Sequence, residues 1–517
     1  MEFLLPYNFF LLFPLIPLLV YYIMTSKGKY QKSRDQNSPN FPPSPPKLPI
    51  IGNLHQLACK PPHLALHKLS QKYGPVMLLK LGSVPTLVIT SAEAAEQVLK
   101  TYDLDFCTRP PLAGPERLSY HYLDIAFVPY GEYWREMRKI CFLEFFCTKK
   151  VQSFKVVREE EVGVMIGSVS VTSSSTDATP VDILKISRCL LSKILFKTCF
   201  GKISQSRPEL FNDDHDRRLV RILHGAVDAI NCFSASDLFP SVGWVIDRIT
   251  GFHGRTEKCF HDLDGFFQQI IDIRSNSKKP EHEQEDFLDS LLKLEKEEAS
   301  TIPLTIDHIK AVFTVVFLAG VDTSAITLSW AMSELIKNPE AMKKVQEEIR
   351  SNLGSKGKVQ ESDLDQFHYL KMVVKETLRL HPAGPLLLPR ESIRPSKVDG
   401  YDVLAKTRVL VNAWAIGRDP AYWQNPYEFI PERFKDSSID FLGGRNFEFL
   451  PFGGGRRGCP GVNMGIIMTE LILANLLYSF DWKMPNGLKK EDLNMDESSG
   501  ISIYKKFPLE LVPIKYN

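Results

Sequence analysis

At 517 residues, with 44% hydrophobic and 24% charged residues, the chain has an ordinary globular balance and ample material for a large core. Lys and Arg total 63 against 61 Asp and Glu, a net charge of +2, which speaks against nucleic acid as the main partner. The nine cysteines (Cys59, Cys107, Cys141, Cys147, Cys189, Cys199, Cys232, Cys259 and Cys459) are scattered, with no C-x-x-C pair or zinc-like Cys/His spacing, which speaks against a disulfide framework and for a reducing compartment.

The chain opens with Phe3–Met24, an almost uncharged run long enough to cross a bilayer as a helix. A cleaved secretory signal is the alternative, but Glu2 rather than a basic cluster precedes the run and no clean small-residue cleavage site follows. Lys27, Lys29, Lys32 and Arg34 come next, which by the positive-inside rule keeps the remainder cytosolic. Residues 1–25 therefore read as a transmembrane anchor and 26–53 as a polar linker and proline-rich hinge. Residues 54–517 form the body. The prolines of Pro42–Asn53 favour an extended, semi-rigid spacer between anchor and body.

Strand-like runs follow at Val76–Lys80 and Thr86–Ile89. Trp134 and Arg138, in WREMRK, stand four apart on a predicted helix. Ser168–Pro180 reads as a flexible surface loop. Phe287–Glu298 has helical periodicity with a solvated face. Thr305–Asn338 reads as one long helix closed by Pro339. At ~1.5 Å per residue it spans on the order of 50 Å, and apolar residues on most sides place it at the centre of the body. It carries Ala319-Gly320-Val321-Asp322-Thr323-Ser324. Glu376 and Arg379, in KETLR, share a face of a later helix. Arg390 follows in LLLPRES and Arg433 in Pro431–Phe434, PERF.

The most informative segment is Phe449–Gly461, FLPFGGGRRGCPG, ahead of an apolar helical run. Its glycines let backbone pass close to a flat, bulky group. Cys459 falls where the loop enters the helix, and there free N–H groups and the positive helix end stabilise a thiolate. Arg457 is placed to pair with an anionic group of a cofactor. A phosphate loop is the competing reading of the glycines, but no Gly-Lys-Ser/Thr follows.

Phe452, Gly455, Arg457, Cys459 and Gly461 fill every fixed position of F-x-x-G-x-R-x-C-x-G, and the loop resembles the haem-binding loop of the cytochrome P-450 superfamily. The resemblance covers nearly the whole chain. The LPIIGN hinge, the His-Pro after KETLR, LLLPRES and PFGGGRRGCPG look most like the plant microsomal branch. It implies a mostly α fold with small β-sheets, the cytochrome P-450 fold, with a long central helix over the haem and an N-terminal transmembrane helix. It implies haem b (iron protoporphyrin IX) held by Cys459, with Trp134, Arg138, Arg390 and Arg457 toward the propionates and Phe452 in the loop. Gly320, Asp322 and Thr323 match the oxygen-activation motif, where a glycine leaves room for dioxygen and an acid and alcohol steer protons. Their other reading is local backbone satisfaction within a helix. Glu376, Arg379 and Arg433 are expected to lock together as a structural unit.

The function so implied is a monooxygenase that uses O2 and NADPH-derived electrons to oxidise a lipophilic plant specialised metabolite of terpenoid, alkaloid or phenylpropanoid class. No nicotinamide or flavin fingerprint is present, so electrons come from a partner, by resemblance the NADPH-dependent cytochrome P-450 reductase. Arg135, Lys139, Lys149 and Lys150 are expected in a basic docking face for it. Substrate contacts are expected from Pro110–Phe127, Ile222–Val245, Thr314–Ala319, Ala383–Leu388 and Ser498–Ile503. The expected location is the endoplasmic reticulum membrane, single-pass, with the body in the cytosol. Two competing readings are a reductase-independent haem-thiolate isomerase or dehydratase and a non-enzymatic haem or lipid carrier. Isomerases of this kind generally lose the acid–alcohol pair or distort the cysteine loop, and this chain retains both.

Overall fold

The computed structural model describes residues 39–516 apart from 59, 174–178, 202–220, 224, 231–232, 277–284, 297–301 and 442–443. The expected anchor at 1–25, the linker up to residue 38, and Cys59 and Cys232 lie outside the described residues.

Among the described residues helices dominate, with three small sheets. The largest sheet runs in the order Val76–Leu81, Val84–Ile89, Arg408–Val411, Arg390–Glu391. Its first pair is an antiparallel hairpin in which Val76 faces Ile89, and its second pair is parallel, with Thr86 opposite Arg408. Both strands expected early in the chain are present. The proline-rich hinge is strapped to this sheet. Asn53 exchanges bonds with Lys80, its N–H donating to the carbonyl (2.7 Å) and its Oδ1 accepting from the amide (2.8 Å). Gly52 is needed for that approach, because a Cβ there would stand 2.1 Å from Lys80 O.

The long helix is Ile306–Lys337, with Thr305 at its N-cap and Pro339 opening the next helix. It lies in the main core, packed on Ile183–Phe200 and Val462–Ser479. Its hydroxyl residues tolerate burial by donating to the carbonyl four residues back, as Thr314 does to Lys310 O (2.9 Å) and Ser333 to Ser329 O (2.7 Å). This helix and Val462–Ser479 are long and apolar enough to cross a membrane, but both are mostly buried inside the body.

One expectation is corrected. Ser168–Pro180 is not a loop throughout, because the helix Lys155–Ser173 continues through its first six residues. Val169 is buried in the main core and Ser170 donates to Ile166 O (2.9 Å), so core packing overrides a loop-like composition.

Candidate active site

The loop ahead of Val462–Ser479 is shaped by its own backbone. Gly453 and Gly455 adopt left-handed φ of 66° and 67°. At Gly455 a Cβ would stand 2.0 Å from Leu99 O, so only glycine lets the loop pass here. The Cys459 amide donates to Phe452 O (3.0 Å), closing the loop on itself. The Phe452 ring meets Phe441 edge to face at 5.3 Å. The helix begins at Val462, so Pro460 lies in the turn before it.

Cys459 has accessible surface. Yet protein surrounds it densely enough that burial pushes its thiol above the ordinary value, opposed by the Gly461 amide and by Arg138. Accessible surface on a residue so enclosed marks internal space beside the sulfur. One turn further along, Gly465 packs toward Ser324 of the long helix, with 3.9 Å from an added Cβ to its hydroxyl. This brings the cysteine-bearing segment against the region of Asp322 and Thr323.

The long helix has a matching opening. Between Ile309 and Ile336 only Ala319 and Thr323 are exposed, with Val315 and Gly320 half-buried. These four positions share one helical face. The Thr323 hydroxyl donates to Ala319 O (2.6 Å). Gly320 faces Leu195, to which an added Cβ would come within 2.8 Å, so its missing side chain also serves the packing of two helices. Asp322 stands about 100° round the helix from Thr323, at the buried edge of this face. It is buried, with Oδ1 accepting from Arg188 Nη2 (2.7 Å) and Nε (3.1 Å), and Oδ2 accepting from the Tyr504 hydroxyl.

Arginines gather around the loop. Arg138, from the helix Glu132–Cys141, donates to Gly458 O (2.5 Å). Arg390 donates to Gly454 O (2.8 Å) and Asp103 Oδ1 (3.0 Å). Arg457 donates to Cys107 O (2.8 Å) and Val128 O (2.6 Å), while its Nη1 is buried with no partner. The Trp134 ring carries Arg457 at 4.4 Å and Arg138 at 5.5 Å. Its indole N–H donates to Ile125 O (3.1 Å), and its ring is a platform for two arginines.

Sequence reasoning missed Arg109, Arg188 and Tyr504. Arg109 is buried and donates to Ala126 O (2.9 Å), Leu388 O (2.7 Å) and Pro389 O (2.8 Å). Its sole local signal was the Pro-Pro that follows it. Burial lowers the affinity of Arg109, Arg138, Arg390 and Arg457 for their protons, Arg457 to about 10, and neighbouring guanidiniums add to the effect at Arg109 and Arg457. Asp103 and Asp124 are the buried carboxylates nearby, and burial raises Asp124. Positive charge is therefore in excess, with one guanidinium nitrogen unpaired. An enclosed thiol, an open helix face and surplus buried cations fit a flat group bearing carboxylates.

Comparison with known proteins agrees. The family model described as Cytochrome P450 matches residues 42–508. Among curated relatives, Cytochrome P450 71B37 of Arabidopsis thaliana is 49% identical over 503 residues, 97% of this chain and 98% of that protein. Cytochrome P450 71B10 of the same plant is 50% identical, covering 92% and 93%. Among solved structures, a zebra fish cytochrome P450 with progesterone aligns with a TM-score of 0.74 at 25% identity, over 88% of this chain and 99% of that one. Since the match runs from the hinge through the loop that bears Cys459 to residue 508, the chain belongs to the cytochrome P450 family of haem-iron monooxygenases.

Proposed function

We propose that this enzyme takes electrons from an NADPH-dependent cytochrome P-450 reductase and oxidises a lipophilic plant specialised metabolite of terpenoid, alkaloid or phenylpropanoid class. The observation that carries the reading is the enclosed, accessible Cys459 beneath an arginine cluster with charge to spare. In this reading Cys459 would hold the iron of haem b through its sulfur, and Arg138, Arg390, Arg457 and Arg109 would hold its carboxylates. Bound there, the haem supplies reductive activation of dioxygen. The protein's own residues do the rest. The face of Val315, Ala319, Gly320 and Thr323 gives the reacting molecules an apolar wall with a single hydroxyl. Thr323 holds a proton at its Oγ1 for delivery, and Asp322, one residue away, takes up a proton from solvent and passes it on once its own partners release it. The retained acid–alcohol pair favours this chemistry over a reductase-independent isomerase.

The same reading places the enzyme on the endoplasmic reticulum membrane through residues 1–25, with its body in the cytosol. Exposed apolar side chains support a membrane-facing surface. Leu48, Ile50 and Ile51 of the hinge, and Val242, Trp244, Ile246 and Ile249 beyond Leu238, adjoin the turn at Gly82–Ser83, whose amides donate to Ile51 O and Leu238 O. Exposed Arg135, Lys139 and Lys149 form the proposed reductase face, with Lys150 partly engaged by Glu144 (3.1 Å).

The deciding experiment is the carbon monoxide difference spectrum of the reduced protein. A strongly red-shifted Soret band is expected, and Cys459→Ala should abolish it. A folded, haem-loaded protein without that band would overturn the assignment of Cys459. Thr323→Ala should keep the band but divert NADPH oxidation to peroxide, and equal diversion in wild type and variant would remove the proton role. Deleting residues 1–25 should release most of the protein from membranes, whereas full retention would place the anchor elsewhere.

A further inference from the structure

The C-terminal segment folds back as a short hairpin beside the long helix. Lys506 N donates to Asp496 O (2.8 Å) and Ser498 N to Tyr504 O (2.8 Å), so Tyr504 is the last paired residue before the turn at 499–503. The hairpin is fastened to the core on two sides. On one side Glu497 accepts from His63 Nε2 (2.6 Å) and Trp414 Nε1 (3.1 Å). On the other, Trp330 Nε1 donates to Ile503 O (3.1 Å), and Ile503 N donates to Ala383 O (3.0 Å). The turn thus joins Ser498–Ile503 directly to Ala383–Leu388, two of the regions expected to meet substrate.

Tyr504 also reaches into the long helix. Its hydroxyl donates to Asp322 Oδ2, and the Arg188 guanidinium stands 4.9 Å from its ring while binding Asp322 Oδ1. The two carboxylate oxygens are held unequally. Oδ1 carries two guanidinium bonds, and Oδ2 carries one bond from a residue at the base of a turn. Asp322 is buried at the edge of the open face, about 100° round the helix from Thr323. Oδ2 is therefore the oxygen that a small movement sets free.

We propose that Tyr504 is a positioning residue that ties the turn at 499–503 to Asp322, so that the position of the turn governs which partners the Asp322 carboxylate keeps. The inference rests on the reading that Asp322 serves proton delivery. It adds a route by which occupancy of the substrate space reaches that carboxylate without substrate touching it. The coupling is reciprocal, because a contact that lets the turn act on Asp322 lets Asp322 act on the turn.

The test uses full-length, haem-loaded enzyme and needs no known substrate. Tyr504→Phe removes the hydroxyl and keeps the ring under Arg188. Amide hydrogen exchange at Ser498, Ile503 and Tyr504 should speed up by about tenfold, the factor equivalent to one hydrogen bond to a charged group. The carbon monoxide band should be unchanged. With reductase and NADPH, peroxide released per NADPH should shift in Tyr504→Phe and in Asp322→Asn, and the double variant should add nothing to Asp322→Asn. A merely structural tyrosine would alter exchange and leave the peroxide ratio alone, which overturns the proposal. If Asp322→Asn shifts the ratio and Tyr504→Phe does not, Tyr504 falls and the proton role of Asp322 stands. If Asp322→Asn itself behaves as wild type, the underlying reading falls. Should Tyr504→Phe fail to fold, exchange in Asp322→Asn decides alone: the three amides must loosen, and unchanged protection overturns the tie.

Discussion

Two of the buried charge clusters among the described residues differ completely in their bonding. Around Glu376, Arg379 uses all five of its N–H groups: Nε and one Nη2 bond on Glu376 (each 2.8 Å), and the others on Gly417 O, Pro426 O and Glu428 O. Glu376 Oε1 also accepts from Arg433 Nε (2.9 Å) and Ile430 N (2.9 Å), so three segments meet on one carboxylate. Around the cysteine loop, by contrast, Arg109, Arg138, Arg390 and Arg457 outnumber their carboxylates, repel one another and leave Arg457 Nη1 unpaired. A saturated cluster has nothing left to bind with. An unsaturated one, kept at a cost of about 1–3 kcal/mol per buried unpaired group, is a site prepared for a ligand's negative charge.

The comparison is broken most directly at its saturated end. Glu376→Ala leaves the buried guanidinium of Arg379 and the half-buried one of Arg433 without their anion, and a loss of about 3–5 kcal/mol is expected. The measurement is the denaturation midpoint of haem-free protein, where the cofactor makes no contribution. A haem-free midpoint equal to wild type would mean that the triad does not hold the fold.

Glu470 supplies an intermediate case, a buried carboxyl with no matching arginine. Burial pushes it up to about 7, partly opposed by Lys371. A carboxyl raised in the folded state stabilises fully below its ordinary value, and that contribution is lost as pH rises through about 7. Glu470→Gln stays neutral, so the variant should exceed wild type at pH 8 by at most about 3 kcal/mol and match it at about pH 4. A gain that is the same at both values would show that packing, not ionisation, sets the difference.

How much of this was legible in the sequence follows the same division. The long helix could be read to within a residue at each end because Thr305 and Pro339 act locally. The cysteine loop could be read because its glycines and Arg457 occupy fixed spacings. The Glu376–Arg379 pair lies on one helix, and only Arg433 had to be supplied by resemblance. Arg109 could not be read, since its partners are backbone carbonyls at Ala126, Leu388 and Pro389, and carbonyls have no sequence signature. Tyr504 was equally silent: its partner Asp322 is 182 residues away and only the folded hairpin brings them together. Ser168–Ser173 misled for the opposite reason, a polar composition overruled by the burial of Val169.

The smallest effect on stability is expected where the effect on the cofactor is large. Arg457→Leu gives up bonds to Cys107 O and Val128 O, each worth about 1 kcal/mol, but it also removes a cation that its neighbours Arg390 and Arg138 repel. These contributions oppose each other, so haem-free protein should change by about 1 kcal/mol or less. The leucine covers the Trp134 face but offers nothing to a carboxylate, so the ratio of haem to protein after purification should fall sharply while far-ultraviolet circular dichroism stays unchanged. Arg457→Lys should recover part of the haem, since it restores the charge without the forked geometry. If Arg457→Leu instead lowers the haem-free midpoint as far as Glu376→Ala does, the two clusters are doing the same work, and the surplus of charge around Cys459 is structural after all.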